Sequence, residues 1–280
     1  MSGVDSHAGP LGEVRIAGAA NGVALTTTAA FTSLPRGTEY VSIIPRNAVT
    51  AVVYRYMLNP YLTVFKTTDA LLTAAAITEA SADVQDGDTA TSIDLSSLGA
   101  AAAGDFVYIG SHVPIRGIRI IIGDTNSTAS VMTVKYRKSD DTWADITATD
   151  GTASAGATFA QTGNITWTVP TDAIARSLQA ISVTDAATVL AVALQPWFMV
   201  KPMYWYRIEV SVALDASVTV TGMQSMNRST AYAELPVDVG DSFRIAQVPG
   251  GTGCIEALTD AGTANLLIRA ATLGVGSNFI

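Results

Sequence analysis

For nucleophilic chemistry of the serine or cysteine type, this 280-residue chain offers one cysteine and its hydroxyls, with two histidines as possible bases. Serine or cysteine attack needs a base, and the usual base is histidine. His7 lies in a Gly, Ala and Ser-rich leading segment. His112 sits in Gly110-Ser111-His112-Val113-Pro114, a turn ahead of a strand, and its neighbour Ser111 points to the opposite side of an extended chain. The pattern predicts a turn histidine bonded to backbone, and no catalytic residue. A single cysteine, Cys254, excludes an intrachain disulfide framework and any zinc site built from several cysteines. It reads as a small buried apolar residue.

Metal and phosphate chemistry fare no better. Asp83, Asp86, Asp88 and Asp94 could supply oxygen ligands to a hard cation. Asp86-Gly87-Asp88, however, has neither the 1-3-5 run nor the closing Glu of an EF-hand, and it reads as a solvated turn. Asp140-Asp141 and Asp150-Gly151 read as two more turns, flanking Trp143 and Ile146. Pro249-Gly250-Gly251-Thr252-Gly253 lacks a P-loop lysine, and Glu256 stands where a dinucleotide fingerprint needs its third glycine. Gly274-Val275-Gly276 fails likewise at Phe279. No metal or cofactor site is expected. The denser signal is aromatic: Trp197-Phe198, then Tyr204-Trp205-Tyr206. Such rings serve a core, an interface or a sugar platform, and these five are the candidate interface residues. Tyr204 and Tyr206 share one strand face and Trp205 takes the other, so both faces of that strand need cover.

The elements that carry these residues are mostly strands. The chain holds 34 threonines interleaved with Val, Ile and Ala, a β-branched composition that favours a pleated surface. Residues 130–136 alternate at period two, as do 114–123 (Ile118, Ile120 and Ile122 against Arg119 and Ile121), and 163–169 adds one more strand, carrying Trp167. In 207–221, Ile208, Val210, Val212 and Leu214 face inward and Arg207, Glu209 and Ser211 outward, and Asp215-Ala216 suggests a hairpin turn. Helix signals are confined to 69–77, an Ala and Leu run capped by Asp69, and to a turn or two in 171–178. Four segments follow: an extended arm, 1–22; a β segment, 23–78; a central antiparallel β-sandwich, 79–225; and a β tail, 226–280, which can pair with 23–78 to close a second, smaller module around the sandwich.

Composition narrows the partners. Sixteen basic and 24 acidic side chains give a net charge of −8, and the four lysines are scattered, which argues against a nucleic-acid partner. Charged residues make up 14% of the chain against about 25% in ordinary domains. That is sparse cover for a surface of roughly 11,000 Å², and it suggests burial against other subunits. No basic-then-apolar leader opens the chain, and the longest charge-free apolar stretch near its middle, 186–200, is 15 residues broken by Gln195 and Pro196. Neither a signal peptide nor a membrane span is expected, and the sequons at Asn126, Asn164 and Asn227 read as chance products of a Thr-rich composition.

One order of motifs goes beyond composition. Asp105-Phe106-Val107-Tyr108-Ile109-Gly110-Ser111, Pro114-Ile115-Arg116-Gly117-Ile118, Thr133-Val134-Lys135-Tyr136 with Trp143, Thr149-Asp150-Gly151-Thr152, Ile165-Thr166-Trp167-Thr168-Val169-Pro170 and Tyr204-Trp205-Tyr206-Arg207-Ile208 follow one another. Together, over about residues 104–222, they resemble the galactose-binding-like, jelly-roll β-sandwich modules of tailed-bacteriophage structural proteins. The resemblance implies a non-enzymatic virion protein of the capsid cement or decoration type. Such a protein is assembled in the host cytoplasm, sits on the capsid surface, and binds the major capsid protein and other copies of itself. An alternative implied by the same resemblance is a head-fibre or tail protein that binds host glycan. The chain departs from the carbohydrate-binding versions in having no ring of acids and aromatics on one loop edge, and it inserts 178–202 before the last strands.

Overall fold

A computed structural model describes residues 12–15, 22–34, 38–45, 52–71, 76–96, 98–181, 201–235, 243–246 and 251–272. The chain is mainly β and divides into two compact units, residues 1–61 with 229–280, and residues 62–228. The inserted unit begins at Leu62, so strand Thr63–Thr67 and strand Ile77–Glu79 belong to it and not to the segment before it. Their partners explain this: Thr63–Thr67 pairs with Phe106–Ser111, far along the chain, and Ile77–Glu79 pairs with Thr63–Thr67.

The inserted unit is an antiparallel sandwich. One sheet runs Trp143–Ile146, Met132–Arg137, Met203–Val210, Phe106–Ser111, Thr63–Thr67, Ile77–Glu79, with Ala175–Arg176 added to Met203–Val210. The other runs Ala148–Asp150, Gly163–Trp167, Ile115–Ile122, Thr219–Asn227, Ile93–Asp94. The chain crosses repeatedly between the sheets, and residues of both meet in one apolar cluster that includes Ile118, Ile120, Ile165 and Val220 from one side and Val107, Ile109, Val134 and Ile208 from the other. Trp167 and Tyr206 lock the sheets together at one residue, Ile115. Trp167 Nε1 donates to the Ile115 carbonyl at 2.8 Å, and the Ile115 amide donates to the Tyr206 hydroxyl at 3.1 Å. Burial pushes that hydroxyl's pKa up to about 12, so it stays neutral, able to accept from the Ile115 amide and to donate to the Ile115 carbonyl at 3.4 Å.

The first unit pairs two further sheets. Gly12–Arg15, Ala264–Thr272, Thr38–Pro45 and Phe243–Ala246 form one, with Val23–Leu25 also on Ala264–Thr272; Ala233–Glu234, Tyr54–Pro60, Thr252–Thr259 and Ala30–Ser33 form the other. Leu25, Val41, Ile43, Ile255, Leu266 and Ile268 fill the space between them. Cys254 is buried here, on the face of its strand that also carries Glu256.

Several expectations change. Residues 12–15 are an edge strand and not part of an extended arm, while residues 1–11 and 16–21 lie outside the described residues. No helix starts at Asp69: Ala70 and Leu71 have φ of 56° and 69°, Ile77 begins a strand, and 72–75 lie outside the described residues. In 171–178 a two-residue strand forms, and the helix comes later, at Leu178–Ile181. Asp215 marks no hairpin. The strands on either side of it, Met203–Val210 and Thr219–Asn227, lie in different sheets, and residues 211–218 carry the chain across the sandwich, with Leu214 and Val218 buried and Val212 left 47% exposed.

The seven-stranded sheet is buried on its outer face as well. Phe65, Phe106, Tyr108, Met203 and Trp205 pack there with Leu71, Leu178 and Ile181. Gly110 lies directly opposite Trp205, and a Cβ on it would come 2.8 Å from the Trp205 ring and 2.9 Å from Met203 Sδ. Gly110→Ala is therefore expected to destabilise the protein by about 1–3 kcal/mol, read as a lower urea midpoint; an unchanged midpoint would show that this face is not tightly packed.

Candidate functional site

Among the described residues, the outer face of the seven-stranded sheet carries a dense group of charged and aromatic side chains. Strand register lays them out in rows. Asp145, Lys135, Arg207, Tyr108, Phe65 and Glu79 lie opposite one another in succession. The pair Trp143 and Arg137 flanks that row on one side, and Thr133 opposite Glu209 flanks it on the other. Side chains in such rows stand close enough to interact directly.

Arg207 is the centre. Its guanidinium carbon lies 4.1 Å from the Phe106 ring centroid and 4.8 Å from that of Trp143. Arg137 also stacks on Trp143, at 5.6 Å, and Tyr108 meets the same indole edge-on at 5.7 Å. Ring faces attract cations, the more so away from water. Glu209 is nearly buried and pairs with both Arg207 Nη2 and Lys135 Nζ, the latter at 3.2 Å. Asp145 and Asp141 approach from the rim, at 3.6 Å from Lys135 and 3.9 Å from Arg137, and Asp141 also binds Arg176 Nε at 2.6 Å. Burial pushes the Arg137 guanidinium below its ordinary value, with Asp141 working against it; burial also raises the Tyr108 phenol, with Arg207 opposing.

A groove of about 520 Å³ opens beside this face, lined by Tyr136, Asp145, Ile146, Thr147 and residues 168–171. It lies where the chain leaves strand Trp143–Ile146 of one sheet for strand Ala148–Asp150 of the other. The Tyr136 hydroxyl donates to Asp172 at 2.7 Å, which holds the adjoining loop.

The aromatics singled out in the sequence divide three ways. Trp205 and Tyr206 are each 1% exposed, on opposite faces of their strand, Trp205 in the outer cluster and Tyr206 in the sandwich core; neither has a ring to offer a partner. Tyr204 is half-buried against the core, and Trp197 and Phe198 lie outside the described residues, as does His7. His112 is half-buried, and burial, aided by Lys201, pushes its pKa down.

The acidic residues hold turns. Asp86 accepts the Asp88 amide at 2.8 Å, Asp88 that of Ala90 at 2.9 Å and Asp94 that of Ser96 at 2.7 Å. Asp140 and Asp150 do the same for Thr142 and Thr152. Among the described residues, no three His, Cys, Asp or Glu side chains are grouped to hold a metal ion. The outer charged layer escaped the sequence reading, which pointed Arg207 and Glu209 outward without grouping them with Lys135, Arg137, Tyr108 and Trp143. The unbroken apolar run Phe106-Val107-Tyr108-Ile109 is the signal that marks a strand buried on both sides.

No protein-family model matches this chain, and no curated protein is significantly similar to it.

Asp215 offers the sharpest pH test. Its carboxylate accepts the Ser127 amide and hydroxyl, each at 2.6 Å, and the Thr128 hydroxyl. Those bonds hold its pKa at about 2, below the ordinary 3.8. A carboxylate with a lowered folded-state pKa stabilises above its ordinary value and loses that contribution as pH falls through the folded value. The melting-temperature advantage over Asp215→Asn is therefore expected to be constant above about pH 5 and to close between about pH 4 and 2. A gap that stays unchanged down to about pH 2 would contradict this role.

Proposed function

We propose that this chain is a non-enzymatic capsid cement or decoration protein of a tailed bacteriophage. It binds the outer surface of the head and bridges neighbouring major capsid protein subunits, as a closed oligomer of its own copies. The added buried area offsets the outward pressure of the packaged genome. The observation that carries this reading is where the polar side chains go. Asp86, Asp88, Asp94, Asp140, Asp150 and Asp215 each accept a backbone amide in a turn or corner, and Arg207, Glu209 and Lys135 are spent within one sheet face. That is the economy of a scaffold whose loops must hold their shape, and it accompanies the motif order that resembles phage structural modules. The low charge fraction, 14%, agrees with a surface made to be covered.

A second reading draws on the groove lined by Asp145, Thr147, Thr168 and Thr171, whose hydroxyls and carboxylate suit a glycan. On that reading the chain is a head-fibre or tail protein that recognises the host surface.

The test is reconstitution. Purified chain added to expanded heads that lack it is expected to co-sediment, to saturate at a fixed ratio to the major capsid protein and to raise the temperature at which heads rupture. Removing residues 1–11, which leaves strand Gly12–Arg15 in place, is expected to weaken that binding. Failure of the full chain to co-sediment, together with glycan-array binding lost on Asp145→Ala, would favour the second reading.

A further inference from the structure

The geometry points to a binding site for a small monovalent anion, chloride or a carboxylate no larger than formate, beneath Trp143 between Arg137, Arg207 and Tyr108. Three buried hydrogen-bond donors meet there, Tyr108 Oη, Arg137 Nε and Arg207 Nε, and none of them makes a hydrogen bond; the Asp141 oxygen nearest Arg137 Nε stands 3.9 Å away, and Glu209 Oε1, ion-paired with Arg207 Nη2, makes no hydrogen bond of its own. They belong to one locus. Arg207 lies directly across from Tyr108 and Arg137 directly across from Trp143, and all three side chains meet the same indole, at 4.8 Å, 5.7 Å and 5.6 Å for Arg207, Tyr108 and Arg137. Buried donors are normally satisfied, and orphaned ones in a native protein mark an ion or a water.

Charge decides between those two. The groups facing the locus are Arg137, Arg207 and Lys135, with side chains 12%, 13% and 25% exposed, and Glu209 at 7%. Glu209 is already shared, one oxygen on Arg207 Nη2 and the other on Lys135 Nζ. The remaining acids, Asp141 and Asp145, are 52% and 72% exposed and act from the rim, where water screens them; Asp141 is also claimed by Arg176. The sheltered side therefore holds three cations and one carboxylate. A water would satisfy the donors and leave that excess, whereas an anion answers both needs. The donors are closed off from bulk water, which limits the ligand to a single atom or a very small group.

The experiment uses the full chain. Crystals soaked in sodium bromide are expected to give an anomalous peak within hydrogen-bond reach of Arg137 Nε, Arg207 Nε and Tyr108 Oη. Melting measured at constant ionic strength is expected to rise on replacing gluconate with chloride, by about 2–4 °C for each tenfold increase in chloride beyond half-saturation. Tyr108→Phe, which keeps the ring and removes only the hydroxyl, is expected to weaken that chloride dependence, and Arg137→Gln to abolish it. A water at the site with identical melting in chloride and gluconate would overturn the proposal. So would a bromide peak that leaves melting unchanged, since that marks an adventitious ion only. If Arg137→Gln fails to fold, Tyr108→Phe decides: chloride dependence equal to that of the parent chain rules the site out.

Discussion

The seven-stranded sheet of the inserted unit must be covered on both faces, and much of that unit's arrangement follows from this. Phe106, Val107, Tyr108 and Ile109 are all buried, so alternation along the strand sends Val107 and Ile109 into the sandwich core and Phe106 and Tyr108 to the other side. Strand Met203–Val210 repeats the division, with Tyr206 and Ile208 inside and Trp205 outside. A sheet with two apolar faces cannot leave one in water. Leu71, Leu178 and Ile181 close one part of the outer face. Over the rest, Trp143 lies across Arg207 and Arg137, and the stems of those arginines supply apolar cover while their heads lie beside Glu209 and Asp141.

That constraint explains how a chain with so few charges uses them. Lys135, Arg207 and Glu209 could stand on a solvated face only if the sheet's outer side were wet. Because it is not, they form a compact ion-paired layer whose geometry is set by strand register. The carboxylates in loops have a different task. Crossing repeatedly between sheets requires tight corners, and corners leave amides without strand partners. Asp94, Asp150 and Asp215 accept those amides, which ties the loops of the sandwich to fixed positions.

Much of this was legible in the sequence because alternation is a local property. Ile118 and Ile120 read as core, and both are fully buried. The Tyr204-Trp205-Tyr206 run demanded cover on both faces, and both are covered. What escaped depends on partners distant in the chain. Thr63–Thr67 looks like a continuation of the strands before it, and only its pairing with Phe106–Ser111 assigns it to the sandwich. Asp215 has the composition of a hairpin turn, yet its strands pair elsewhere, with Phe106–Ser111 and Ile115–Ile122. The capped Ala and Leu run at 69–77 lost to tertiary demand: the Ala70 amide bonds the Gly104 carbonyl at 2.8 Å, and Leu71 is drawn into the outer cluster. Propensity is a weak prior against such packing. The anion locus was invisible for the same reason, since Arg137, Arg207, Tyr108 and Trp143 come from four strands.

A scaffold whose charges are spent on its own corners and sheet faces suits assembly better than turnover, and a cement protein differs from a fibre or tail part in abundance above all. Quantitative mass spectrometry of purified phage particles, giving copies of this chain per major capsid protein, is therefore the most direct measurement. The account predicts a ratio of one or another simple fraction that implies very many copies on each head. A handful of copies per particle, or none, would contradict it.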